Sequence, residues 1–333
     1  MKKSILLISL ITLSCTQNNL NSENKIEKKL PIINVTPKPT SSEIPTNILN
    51  SQTPTPISLI SSSPSNPPIL IKNTSTKETC KEYFSKTENY LDILPTPSNG
   101  ITQRNDLIKN GGKLVSLNGR YYIIWIPDSF YSSTKKTIIY DLHGTGGYPE
   151  AEWNDWNAIF KDKGIAFISY AWGGATINTY KDIYNSFKKI DDDLAQVCPI
   201  ENTNKWLMGF SVGSAVSFGV ILQDKLERKM FSGTISNSGA SWSPKQTGIE
   251  VMHPFVEAQK SNLKAYEGIK TWMYCGEKDF DHTWSMCDEM DLAKKLIDTH
   301  GGISILYRDP NGLHGSLHKN NEAVKELLEY ISK

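Results

Sequence analysis

From residue 113 onward the chain alternates apolar runs of strand length with segments of helical period. Residues 113–116 and 120–126 flank Asn118-Gly119, a pair suited to a type I′ turn, so a hairpin is predicted there, ended by Pro127. Residues 137–142 (TIIYDL) form a continuous apolar run, the pattern of a strand buried on both faces. Further strands are predicted over 165–170, 205–209, 234–236, 271–274 and 304–307. Helices are predicted over 150–163, 179–197, 212–226, 287–299 and 321–331, with another near 252–266. Antiparallel strands first and β-α alternation afterwards imply an α/β class: a mostly parallel twisted sheet with helices on both faces. The acidic run Asp191-Asp192-Asp193 reads as a solvated helix face.

Ahead of residue 80 the pattern is absent. None of the aromatic residues lies before Tyr83, although aromatics are 10% of the 333-residue chain. The low hydrophobic content, 38%, is therefore an average over two populations. Residues 16–79 are rich in Pro, Ser, Thr and Asn, a composition that cannot bury enough area to offset chain entropy. They are expected to form an extended tether, leaving 80–333 as one catalytic-sized domain. The net charge of +1 argues against a general nucleic-acid binder, and no nucleic-acid partner is expected.

Residues 1–15 (MKKSILLISLITLSC) join two lysines to an apolar run too short to span a bilayer, the form of a signal peptide. Leu13-Ser14-Cys15 resembles a bacterial lipobox, which implies a lipid on the Cys15 thiol, membrane attachment through it, and an exported protein of the cell envelope. An ordinary secretory signal with an incidental cysteine is the other reading. Export makes disulfides natural for the remaining Cys80, Cys198, Cys275 and Cys287. Three pairings exist. Cys275–Cys287, which closes a short loop, and Cys80–Cys198, which ties the first helix to the core, are favoured over the others and over four buried thiols. No CxxC or His/Cys cluster suggests zinc, and no cofactor is expected.

Gly209-Phe210-Ser211-Val212-Gly213 matches G-x-S-x-G between a predicted strand and a predicted helix. A sharp turn there exposes the Ser211 hydroxyl, and the helix starting at Val212 turns its positive end toward developing negative charge. His143-Gly144-Thr145-Gly146-Gly147 follows the strand TIIYDL, where glycines let a backbone N–H point into the site. The amides of Thr145 and Val212 are the expected oxyanion donors. His143 is expected to hold the loop by hydrogen bonding.

These segments, with Arg120 to Pro127 (RYYIIWIP) and Gly276-Glu277-Lys278-Asp279, resemble the α/β-hydrolase superfamily, and within it the secreted poly(3-hydroxybutyrate) depolymerase and feruloyl esterase group. The resemblance spans roughly 113–332 and implies an α/β-hydrolase fold with a triad in the order Ser, acid, His. It implies Asp279 as the acid, with Asp281 and Glu277 as rivals, and His314 as the base, in the loop between the last strand and the last helix. His318 is the rival base, expected in the first turn of that helix. His300 suits a helix end. Aromatics after strand ends, Trp172 and Trp242 above all, could line a substrate pocket or simply pack.

The resulting expectation is a tethered serine esterase acting on a polyester, a feruloyl-type ester or a small soluble ester through an acyl-enzyme. A serine peptidase of the same fold and a non-catalytic surface-binding lipoprotein are the competing readings.

Overall fold

The computed structural model describes residues 76–91, 100–173, 179–198, 200, 202–240, 264–280 and 285–333. All of them belong to the unit Ile69–Lys333. The expected signal peptide, Cys15, most of the expected tether, Trp242, His253, Asp281, His282, Trp284 and nearly all of the helix expected near 252–266 lie outside the described residues. The described end of that predicted helix, 264–266, leads into a turn.

Helix α1 (Thr76–Lys86) and α2 (Gly100–Lys109) precede the hairpin β1 (Lys113–Leu117) and β2 (Arg120–Trp125). Leu117 pairs with Arg120, so the connection is the two residues Asn118 and Gly119. Both have positive φ, 50° and 73°, as a type I′ turn requires. The chain continues through α3 (Asp128–Ser132), β3 (Thr137–Leu142), α4 (Pro149–Lys163), β4 (Ile165–Tyr170), α5 (Thr179–Val197), β5 (Asn204–Phe210) and α6 (Val212–Glu227). It ends with β6 (Gly233–Asn237), β7 (Lys270–Gly276), α7 (Met286–Thr299), β8 (Ile303–Asp309) and α8 (Asn321–Ile331). Among the described residues these strands form an 8-stranded sheet in the order β1-β2-β4-β3-β5-β6-β7-β8. β2 is antiparallel to both its neighbours, and every pair from β4 to β8 is parallel.

The pleat sends alternate side chains to two cores. Tyr140 and Ile168 face one that α1, α5, α6 and α7 cover with Phe84, Phe187, Phe218 and Met290. Ile139 and Phe167 face the other, covered by α2, α4 and α8 with Leu107, Trp153, Trp156, Phe160 and Leu327. Trp153, Trp156 and Phe160 share one stripe of α4 because they recur at helical spacing. Short α2 and α3 were not predicted. α2 is polar in composition and buries Arg104, whose guanidinium meets Glu150 at 2.6 Å while the Tyr121 hydroxyl donates to the same carboxylate at 2.8 Å.

The acidic run on α5 departs from expectation. Asp192 and Asp193 are solvated, but Asp191 is buried and bonded to Lys205 at 2.6 Å, Arg228 at 3.2 Å and the Tyr140 hydroxyl at 2.8 Å. Three consecutive helical positions span about 200° of arc, so one of them has to face inward.

Two disulfides are present, Cys80–Cys198 and Cys275–Cys287, the pairing favoured from spacing. Their sequence separations are 118 and 12. Loop-closure entropy predicts a loss of about 5 kcal/mol for the long loop and about 3 kcal/mol for the short one. Urea unfolding of the Cys80→Ala/Cys198→Ala and Cys275→Ala/Cys287→Ala proteins should therefore show the larger loss in the first.

Candidate active site

β5 runs directly into α6, and the reversal falls on Ser211. Its backbone sits at φ 54° and ψ −120°, a region that costs a non-glycine residue about 1–3 kcal/mol. The turn is that tight because strand and helix nearly touch. A Cβ on Gly209 would lie 2.4 Å from the Gly213 carbonyl oxygen, and one on Gly213 would lie 2.1 Å from that of Leu142. The strain is held by the Ser211 amide donating to Asn237 O at 2.9 Å, and by the Ala215 amide returning to Ser211 O at 3.0 Å. Behind the turn, the buried Ser214 hydroxyl bonds Ser236 and the Gly239 carbonyl.

His314 Nε2 lies 2.9 Å from Ser211 Oγ, and its Nδ1 lies 2.7 Å from Asp279 Oδ2. Three residues far apart in sequence thus form one hydrogen-bonded line. Asp279 follows β7 in a turn closed by its own amide donating to Gly276 O at 3.1 Å. The rival Glu277 points to the surface and pairs with Arg308 at 3.1 Å. His318 is elsewhere. It lies in a 3-10 turn, Leu317–Lys319, ahead of α8 instead of in its first turn, with its ring edge on Trp156 and Nδ1 3.8 Å from Asp155. Asn320 caps α8 and sets its start beyond His318. His300 caps the C-terminus of α7, as expected.

The loop after β3 packs against the serine, and a Cβ on Gly144 would sit 3.1 Å from that of Ser211. The loop is a turn in which the Gly147 amide donates to Gly144 O at 3.0 Å. Thr145 is exposed within it. Among the described residues no hydrogen bond takes the amide of Thr145 or of Val212. His143 Nδ1 meets Gly144 O at 2.9 Å, and burial holds its imidazole below its ordinary pKa. Trp172 is 7% exposed, stacks on His143 with ring centroids 5.5 Å apart, and donates its indole N–H to His143 O at 3.1 Å. Among the described residues it packs under the loop.

Sequence reasoning missed Ser238. It is buried, has φ 52°, and its hydroxyl accepts the amide of Gly315 at 3.3 Å, next to the histidine. A serine after a strand carries no signal by itself.

No family model matches the chain, and no curated protein matches its sequence. Solved structures do match. A fungal esterase from Rhizomucor miehei superposes with a TM-score of 0.51 at 13% identity, over 80% of this chain and 98% of that one. An esterase from Pyrobaculum calidifontis does so with a TM-score of 0.49 at 13% identity, over 76% and 96%. The fold is the α/β-hydrolase fold.

In an α/β-hydrolase fold the ends of the parallel strands carry the chemistry. Here Phe210, Gly276 and Leu142 end β5, β7 and β3 on the side where Ser211, Asp279 and the glycine loop gather. A hydroxyl bonded to an imidazole, itself bonded to a carboxylate, can lose its proton as it attacks an electrophilic carbon.

The loop stands on an unusual base. Asp141, the residue before Leu142, is fully buried with Ser169 Oγ donating to its Oδ2 at 2.7 Å. Burial pushes its pKa up to about 7 against that bond, and burial together with the Asp141 charge raises Glu152 as well. A carboxyl whose folded pKa is raised binds more protons folded than unfolded, so stability falls as pH climbs from the ordinary carboxylate range to about 7. Asp141→Asn should consequently raise the melting temperature at pH 8 and leave it nearly unchanged at pH 4. Equal shifts at both pH values would rule this out.

Proposed function

We propose that the chain is a serine esterase that hydrolyses carboxylic esters through an acyl-enzyme. The supporting observation is the line from Ser211 Oγ through His314 to Asp279, at 2.9 and 2.7 Å. Ser211 Oγ attacks the ester carbonyl carbon while His314 Nε2 takes its proton. Asp279 orients the ring and stabilises the imidazolium. The amides of Thr145 and Val212 hold the oxyanion. His314 then protonates the leaving alcohol, and water, deprotonated by the same nitrogen, releases the acid and restores the serine. The strained elbow favours this reading, because such backbone strain collects at functional sites.

The finer reading places the protein with the secreted poly(3-hydroxybutyrate) depolymerase and feruloyl esterase group, on the strength of the motifs RYYIIWIP, LHGTGG, GFSVG and GEKD in this sequence. Its substrate class is then a polyester, a feruloyl-type ester or a small soluble ester. Leu13-Ser14-Cys15 and the Pro-rich stretch that follows favour a lipid-anchored protein of the cell envelope, tethered through Cys15.

A fluorophosphonate probe should label wild type at Ser211 and leave Ser211→Ala unlabelled. The substitution should lower kcat/KM on a 4-nitrophenyl ester by about 10⁴-fold or more. A folded Ser211→Ala protein with near-wild-type turnover would refute the assignment, and faster cleavage of peptides than of any ester would replace it with a peptidase. In a bacterial host, Cys15→Ser should move the protein from the membrane fraction to the soluble one, and unchanged membrane retention would count against the lipid anchor.

A further inference from the structure

A second aspartate is built into the machinery without touching the reacting atoms. Asp309 ends β8 opposite Gly276, the last residue of β7. Its carboxylate is buried, with a residue exposure of 7%. Oδ2 accepts the Tyr274 hydroxyl at 2.8 Å and the Asn320 side-chain amide at 2.8 Å. Oδ1 accepts the Asn311 backbone amide at 2.9 Å. The backbone carbonyl of Asp309 accepts two more donors, the Glu277 amide at 2.8 Å and the Gly312 amide at 3.1 Å.

Those donors belong to the two loops that carry the acid and the base. The Glu277 amide opens the turn that presents Asp279. The Asn311 and Gly312 amides open the loop that presents His314. The Lys278 amide then donates to Gly312 O at 3.0 Å and closes one loop onto the other. On its far side Asn320 accepts the Glu322 and Ala323 amides at 3.1 and 3.0 Å, so the same chain of bonds also sets where α8 begins. Burial alone would push the Asp309 carboxyl up. Its bonds from Asn320, Asn311 and Tyr274, helped by the nearby Gly312 amide, outweigh that and hold it below the usual carboxylate range. No hydrogen bond joins it to His314 among the described residues.

We propose that Asp309 is a positioning residue of the reaction: it fixes the separation of the Asp279 and His314 loops and thereby holds the imidazole within hydrogen-bond reach of Ser211. The inference rests on Ser211 being the nucleophile. A carboxylate is needed because three donors converge on its two oxygens. An asparagine of the same shape turns an NH₂ toward at least one of those donors, and a donor facing a donor pushes the loop away.

The test uses the full-length protein with Asp309→Asn and Tyr274→Phe. Three quantities are read for each: the rate of fluorophosphonate labelling of Ser211, kcat and KM on 4-nitrophenyl butyrate, and the distance from His314 Nε2 to Ser211 Oγ in a crystal structure. For Asp309→Asn, kcat and the labelling rate should fall together by about 10- to 100-fold, the cost of misplacing a catalytic group by about an ångström, with KM within about threefold. The histidine should move out of hydrogen-bond reach. Tyr274→Phe removes one donor and keeps the charge, so it should show the same pattern at smaller size, which preserves the test if Asp309→Asn does not fold. A variant that melts earlier yet labels and turns over like wild type well below its melting temperature would make Asp309 merely structural and overturn the proposal. Wild type that neither labels nor hydrolyses esters would refute the esterase reading instead, and the His314 distance would still decide the role of Asp309.

Discussion

Everything at the strand ends depends on the contact between β5 and α6. The chain has to reverse within one residue, and it can do so only because Gly209 and Gly213 let backbone lie on backbone. The reversal leaves Ser211 in a conformation that an L-residue avoids. That strain persists because the neighbourhood over-determines it. Asn237 on β6 holds the serine amide, and the buried hydroxyls of Ser214 and Ser236 tie helix to sheet behind it. A relaxed turn would swing the hydroxyl away from His314 and open the seam between two parallel strands, so local strain and global packing cannot be relieved separately.

The rest of the sheet is a frame that brings distant loops to that turn. β3 delivers the glycine loop, β7 the turn with Asp279 and β8 the loop with His314; the residues of β3 and β7 alternate between two apolar cores, and the edge strand β8 is mostly half-buried or exposed. Charge is kept inside at several points, each with its own compensation. Arg104 and Glu150 pair directly, and Asp191 collects two cations and a phenol. Such buried pairs contribute little net stability, and breaking one is expensive, so they fix geometry more than they add strength. Asp141 and Glu152 are exceptions, since burial drives both carboxyls toward the neutral form.

The sequence made the strands, the hairpin and most helices legible because period and turn chemistry are local. Asn118-Gly119 demands positive φ at both positions, and TIIYDL has no polar face to expose. The G-x-S-x-G turn was legible for the same reason, since its glycines act on adjacent elements. What stayed hidden depends on contacts that no local pattern encodes. Helix α2 is held by a buried arginine in an otherwise polar segment, and Asp191 looks identical to Asp192 until α5 is laid on the sheet. Ser238 and Asp309 acquire meaning only when β6, β7 and β8 are side by side. Trp172 was visible as an aromatic after a strand, but whether it faced a pocket or a loop was a question of packing.

The disulfide between Cys275 and Cys287 encloses the segment that carries Asp279 in a covalent ring. The loop that carries His314 has no such closure and is held by hydrogen bonds and by packing on Phe210. The two loops therefore differ in how they tolerate change of length. An added residue in an open surface loop costs little closure entropy, but inside a short ring it must be accommodated between fixed ends. Change of length is thus channelled: the ring around Asp279 accommodates substitution at constant length, and the His314 loop has room for an insertion.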